Sequence, residues 1–426
     1  MKKDSKMISR PVTIAVIGAG ARGHGYANFA KHFPDRLKIA AVADPNDFRR
    51  NRLAEEHNIP AEKCFRSWED FCRQPKMCDA VAICTQDSMH EAPAIACAQL
   101  KYHILLEKPM APTAQACRNI VAEVKAAGVL FAVCHVLRYT AYTKMLQEII
   151  HSGEIGDIVS IQHLEPVGYW HQAHSFVRGN WRNEAESSSM LLAKSCHDID
   201  WLRGIMGKPC HAVHSFGSLR HFKAAEKPEG AADRCCNCPR EIESACPYSA
   251  YKIYFRDRFC KGYTYWPVNV LTPEVNRKNL ADALRNGPYG RCVYACDNDV
   301  VDNQVVNLSF ADGSTAAMTM TAFNFHTGRK TRIFGTLGYI ETDSSVITIR
   351  KFLDDSVREV NSNTANDGGI LTGHGGGDFG LMDSFVRAVA ENDPAQIVTG
   401  IEETLESHLI VFAAEESRKK GIVVRL

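Results

Sequence analysis

At 426 residues the chain exceeds what one ordinary core supports, so two domains are expected. Hydrophobic residues make up 45% and charged residues 23%, and the formal net charge is only +1 with no long block of like charges, which argues against nucleic acid as a partner. No apolar run approaches the roughly 20 residues needed to span a bilayer, so no membrane insertion is expected.

The opening Met1-Lys2-Lys3-Asp4-Ser5-Lys6 is basic like a signal peptide, but the apolar stretch behind it is short and runs into a glycine loop. It reads as the start of a cytoplasmic chain. Apolar runs at 12–17, 39–43, 80–84, 104–106 and 131–134 then alternate with helical stretches at 27–32, 49–57 and 91–100. That pattern predicts a parallel sheet covered on both faces, built by right-handed βαβ crossovers: a Rossmann domain over about 1–136.

Within it, Gly18-Ala19-Gly20-Ala21-Arg22-Gly23 follows the first strand and opens a helix. Gly18 permits the tight turn, Gly20 lets backbone approach a pyrophosphate, and Gly23 lets helix and strand pack closely. Free N–H groups at the helix start supply the anion site. Asp44 ends the second strand, where a carboxylate accepts from the adenine ribose hydroxyls, so NAD is expected over NADP. Arg49 and Arg50 nearby are read as solvated helix residues, with reception of a 2′-phosphate as the alternative.

Beyond Arg138 the pattern changes to strands at 158–164, 212–218, 304–310, 315–322, 331–335 and 346–351 with few helices between them. This predicts a mostly antiparallel second sheet in an α+β domain over 137–426. Residues of about 220–298 lack clear periodicity and read as an ordered, cysteine-bearing insertion. Two late helices, about 378–392 and 401–420, are expected to return against the domain junction. An exposed face on the second sheet would suit a homo-oligomer.

Three elements together resemble the Gfo/Idh/MocA oxidoreductases, the group that includes glucose-fructose oxidoreductase and inositol dehydrogenases. They are the glycine loop with Asp44, Thr85-Gln86-Asp87-Ser88-Met89-His90 after the strand ending at Cys84, and Glu107-Lys108-Pro109 after the strand ending at Leu106. The resemblance covers nearly the whole chain and adds Ala21, Arg22, Thr85, His90 and Glu107 to the expected cofactor contacts. It also implies that Lys108 reaches the cleft where nicotinamide meets substrate. The chemistry agrees: removing hydride from a carbinol carbon requires its hydroxyl proton to leave, and a positioned base or cation lowers that barrier.

The family's second element is D-x-x-x-H on a helix. Here His197 matches the histidine, while the aspartate position holds Ala193 with Lys194 beside it. His197 is expected to act as acid–base or hydroxyl-orienting residue, and Lys194 as a second cation. Of the carboxylates that might replace the missing one, Asp200 is better placed than Asp198. Arg138, Tyr139, Tyr169, His174 and Arg182 are substrate-side candidates, since polyol recognition uses hydrogen-bonding groups on an aromatic wall. His374, in Gly373-His374-Gly375-Gly376-Gly377-Asp378, resembles a family segment near the cleft, although Asp378 as a helix N-cap would explain the segment without function.

Sixteen cysteines suit a reducing compartment as free, buried thiols. Cys235-x-x-Cys238 followed by Cys246, with Cys292 and Cys296 later, offers enough thiolates for a tetrahedral structural zinc tying the insertion together. An iron–sulfur cluster, disulfides or metal-free thiols are the alternatives. The function expected is NAD-dependent hydride transfer at a secondary carbinol of a sugar, inositol or related polyol. A redox-neutral glycosidase that keeps NAD bound is the second reading, and a non-catalytic nucleotide sensor the third.

Overall fold

The computed structural model describes residues 10–325, 327–362 and 373–426; the basic N-terminal segment discussed above lies outside them. Strands β1 (Val12–Ile17), β2 (Leu37–Ala43), β3 (Cys64–Phe65), β4 (Ala80–Ile83), β5 (His103–Leu106) and β6 (Phe131–Val133) form a parallel sheet in the order β3-β2-β1-β4-β5-β6. Every residue of β4 is buried, because apolar cores cover both faces of a parallel sheet. Ile14, Val16, Phe29 and Leu53 pack on one face, and Ile17, Val81, Phe71 and Ile120 on the other. Strand order reverses between β1 and β4. In open α/β sheets the crevice at such a switch point, beyond the strands' carboxyl ends, is where ligands bind.

The second sheet contains β7 (Ile158–Pro166), β8 (Cys210–Ser218), β9 (Asn303–Phe310), β10 (Thr315–Thr321), β11 (Lys330–Gly335), β12 (Gly338–Thr342), β13 (Val346–Lys351), β14 (Val357–Asn361) and β15 (Val424–Arg425). Its order is β14-β13-β12-β11-β7-β10-β9-β8-β15. Among the described residues only β7 and β10 pair in parallel; the other neighbours are antiparallel, as expected. Buried and exposed residues alternate along β9, so one face packs on Leu202, Ile205, Val411 and Ala414 and the other stays open.

Both late helices return to the junction. Gly377–Glu391 adds Leu381, Met382 and Phe385 to the core beside β1, and Ile401–Lys420 packs against helix Cys196–Met206 and β8. The insertion buries more than its composition suggested: Phe222, Tyr248, Ile253, Tyr254, Leu280 and Tyr294 form a separate, largely aromatic core.

Candidate active site

The glycine loop is built as its sequence requires. Gly18 has φ +94°, and a Cβ there would lie 2.5 Å from Cys84 O. A Cβ on Gly23 would lie 2.1 Å from Gly18 O, whereas one on Gly20 would meet nothing within 4 Å. Helix Ala21–His32 starts at Gly20 with no side-chain cap, so its first N–H groups remain available to an anion. A dinucleotide pyrophosphate fits this cradle: open at Gly20, closed elsewhere. Asp44 Oδ2 accepts from Ala19 N at 2.7 Å and Oδ1 from Asn46 N at 2.8 Å, which fixes the carboxylate at the end of β2 beside the loop. Arg49 is exposed, but Arg50 is buried. Arg50 donates to Asp44 O at 2.7 Å and pairs with Asp47, so its reading as a solvated residue is corrected.

Glu107, 5% exposed, lies under the cleft and accepts from Arg22 Nε at 2.6 Å, Tyr26 Oη at 2.7 Å and Lys108 N at 2.9 Å. Despite burial, the charges of Arg22 and Lys108 hold its carboxyl below the usual range. Arg22 continues to Asp378 at 2.7 Å, and His374 Nδ1 sits 3.2 Å from the same carboxylate. Asp378 is thus a first-turn residue bound by a cation; the helix N-cap is Gly376, which corrects the capping alternative. His90 is wholly buried, its ring nitrogens 2.8 Å from Pro109 O and 3.2 Å from Thr85 O. Thr85 Oγ1 in turn donates to Met89 O at 3.1 Å. This pair braces the Lys108 turn against the preceding loop.

Lys108 reaches the segment that leads into the His197 helix. Lys108 Nζ donates to Ala193 O at 2.7 Å, at the position where the family pattern has aspartate, and His197 opens the next helix, Cys196–Met206. His197 is 6% exposed and its Nδ1 has no hydrogen-bond partner among the described residues. Burial first, then the charge of Lys108 and the rings of His135 and His374, push its pKa well below the imidazole range.

Neither neighbouring aspartate serves His197. Asp200 Oδ1 accepts from Ser407 Oγ at 2.8 Å, and its Oδ2 lies 3.6 Å from Arg138, so the preference for Asp200 is corrected. Asp198 accepts from Arg329 Nε at 2.5 Å and lies 3.0 Å from His163 Nε2. Although burial opposes it, Arg329 and His163 hold its carboxyl below the usual range.

The carboxylate nearest Lys194 comes from another strand: Lys194 Nζ lies 2.8 Å from Glu165 Oε1, and Arg329 Nε 2.9 Å from Glu165 Oε2. Glu165, Arg329 and His163 were missed from sequence. A signal existed, since His163 and Glu165 occupy alternate, core-facing positions of β7, where apolar side chains are the rule.

Most substrate-side candidates are occupied elsewhere. Arg138, 5% exposed, pairs with Asp200 and Glu403, and Tyr139 shares a hydrogen bond with Thr399 Oγ1 at 2.8 Å. His174 stacks on Tyr289 with its Nδ1 2.9 Å from Tyr254 Oη. Arg182 holds Asp297 through two contacts of 2.9 Å. These four tie helices and insertion together. Tyr169 stays half-buried beside Phe325 and Lys252. Next to it His171, unforeseen from sequence, has its pKa driven down by burial, then by the charges of Lys194, His174 and Lys108. The single zinc expected in the insertion is not carried by the geometry: among the described residues, no three His, Cys, Asp or Glu side chains are placed to hold one ion.

Fold and cleft together define an oxidoreductase with a dinucleotide-binding Rossmann domain. Residues 12–135 match the model of the oxidoreductase family with NAD-binding Rossmann fold, and residues 147–426 match that family's C-terminal alpha/beta domain. The chain belongs to this family, GFO_IDH_MocA.

It is 28% identical over 213 residues to 2,7-anhydro-N-acetylneuraminate hydratase of Escherichia coli K12, covering 49% of this chain and 54% of that protein. It is 28% identical over 209 residues to myo-inositol 2-dehydrogenase of Thermotoga maritima, covering 48% and 58%. The chain thus spans little more than half the length of these curated relatives. Levoglucosan dehydrogenase, solved in complex with NADH and levoglucosan, shares the fold over 98% of this chain and 99% of its own, with a TM-score of 0.70 at 20% identity. Among the described residues, no helix is long and apolar enough to cross a membrane.

Proposed function

We propose that this chain transfers hydride between NAD and a secondary carbinol of a sugar, inositol or related polyol. One observation carries the reading: the Lys108 side chain reaches Ala193 O, just before the helix that presents the unpartnered Nδ1 of His197, at the carboxyl end of the parallel sheet and above the Glu107–Arg22 pair that anchors the glycine loop. When bound there, NAD supplies the hydride acceptor. His197 takes the hydroxyl proton of the carbinol, while Lys108 donates a hydrogen bond to the same oxygen and stabilises its developing negative charge. Lys194, Glu165 and Arg329 present donors and acceptors for neighbouring hydroxyls. His171, Trp266 and Tyr169 line an aromatic wall, with the His171 and Trp266 rings 5.1 Å apart, suited to the apolar face of a sugar ring.

Asp44 supports NAD over NADP, because its fixed carboxylate would repel a 2′-phosphate and Arg50 is already engaged. Calorimetry is expected to show NAD binding tighter than NADP, and Asp44→Ala weakening NAD selectively. Tighter binding of NADP by the unaltered chain would refute this. The same reading puts a second copy of the chain against the open face of the second sheet, where Phe216 and Val305 pair side by side and are 60% and 38% exposed, and puts the protein in the cytoplasm, where cysteines without disulfides stay reduced.

A redox-neutral reaction on a glycoside is the second reading, favoured by alanine at position 193. A screen of polyols and glycosides with added NAD separates the two. Stoichiometric NADH is the expected result, whereas released aglycone without net NADH would transfer the assignment to the glycosidase.

A further inference from the structure

Arg178 closes the helical segment Gln172–Arg178 and is only 1% exposed. Its Nε donates to Arg291 O at 2.7 Å and its Nη2 to Tyr248 O at 2.8 Å, while Nη1 has no partner. No carboxylate pairs with it among the described residues. Burying a guanidinium without a counter-anion costs several kcal/mol, so the groups packed around it are expected to carry negative charge. Those groups are mainly thiols, with the Tyr254 hydroxyl among them. Arg178, Cys235, Cys238, Cys246 and Cys292 line one small apolar cavity. Arg178 Nη2 points at Cys235 Sγ from 3.7 Å, and Ala250 N donates to the same sulfur at 3.4 Å.

The backbone clamps these four cysteines from three places. Cys235 and Cys238 flank one tight turn, Cys246 follows helix Arg240–Ala245, and Cys292 is tied to the first turn by Cys292 N donating to Asp233 O at 2.8 Å. Cys296 is near Arg178 but does not line the cavity, its Sγ donating instead to Cys292 O at 3.2 Å.

A single zinc would need four sulfurs about 2.3 Å from the ion, hence about 3.8 Å from one another; no three ligands are so placed among the described residues. A cluster of four irons and four sulfides takes one thiolate per iron and holds the ligand sulfurs farther apart. We propose that Cys235, Cys238, Cys246 and Cys292 bind a [4Fe–4S] cluster whose net negative charge Arg178 balances. The cluster fixes the Arg178 end of the 172–178 segment, whose other end adjoins His171 of the candidate substrate wall, and the proposal is independent of the hydride-transfer reading.

The test is iron and acid-labile sulfide per full-length chain, produced and purified without oxygen, with a Mössbauer spectrum of the unaltered protein. About four of each and a cubane spectrum are expected, with most iron lost in Cys238→Ser and retained in Cys296→Ser. Zinc in place of iron, or no metal at all, in the unaltered protein overturns the proposal. So does equal loss of iron from both variants. The unaltered chain's metal content decides even where Cys238→Ser does not fold.

Discussion

Lys108→Ala is expected to lower turnover on the order of 10²-fold or more, the usual worth of a positioned proton-transfer group, while leaving NAD affinity near normal. The second half follows from geometry. The Glu107, Arg22 and Tyr26 contacts under the glycine loop involve the backbone of residue 108, not its side chain, whereas Nζ reaches across to Ala193 O. His197→Ala is expected to lose a similar factor. If both groups act on one hydroxyl, the double variant loses much less than the product of the two single losses.

A pH profile separates this role from a structural one. Burial and Lys108 together depress the pKa of His197, so the acidic limb of kcat/KM is expected below the ordinary imidazole value of about 6.5. Removing the ammonium takes away a charge that opposes protonation, so the limb moves up in Lys108→Ala. Near-wild-type turnover in that variant would sink the assignment. Fully multiplicative losses would place the two residues in separate steps.

Acid is expected to unfold the protein through buried histidines other than His197. Burial, aided by Arg138 and Lys108 for His135, by Arg178 and Arg258 for His174, and by His135 for His408, pushes each of these pKa values down to about 3. His408 illustrates why: its Nε2 accepts from Met110 N at 2.9 Å and Nδ1 donates to Thr404 O at 2.8 Å, a pair of bonds only the neutral ring makes.

The unfolded chain protonates these residues near pH 6.5 and the folded chain does not. Their contribution is thus fully present above about pH 6.5 and is lost as pH falls from there toward 3. Three protons refused amount to about 4 kcal/mol per pH unit in the middle of that window, against a total stability on the order of 5–15 kcal/mol. Asp200, raised by burial, offsets part of the loss. Urea midpoints should therefore fall steeply between pH 7 and pH 5. Equal midpoints at the two values would mean that the imidazoles take up protons inside the fold.

What the sequence determined by itself is what depends on local requirements. Strands buried on both faces must be continuously apolar, so β1, β2, β4, β5 and β6 were legible to within a residue or two. The turn at Gly18 needs positive φ and Gly23 tolerates no Cβ, so the loop announced its ligand. Lys108 and His197 were pointed to by the family resemblance, through motifs at a strand end and a helix start. Elements with little apolar signal were lost: β3 and β15 have two residues each, and the edge strand β14 is almost wholly exposed.

Only the tertiary structure decided which charges meet. Helical spacing favoured Asp200 for His197, yet the antiparallel pairing of β7 with β11 carries Glu165 toward Lys194 and the Arg329 loop toward Asp198, while helix Ile401–Lys420 takes Asp200 through Ser407. The same long-range packing engaged Arg138, His174 and Arg182 in holding elements together, and put Cys292 rather than Cys296 at the cavity beside Arg178. Spacing along a chain specifies only neighbours on one element. The partner of a buried charge is chosen by whichever element the fold brings alongside, because an unpaired charge there is too costly to leave.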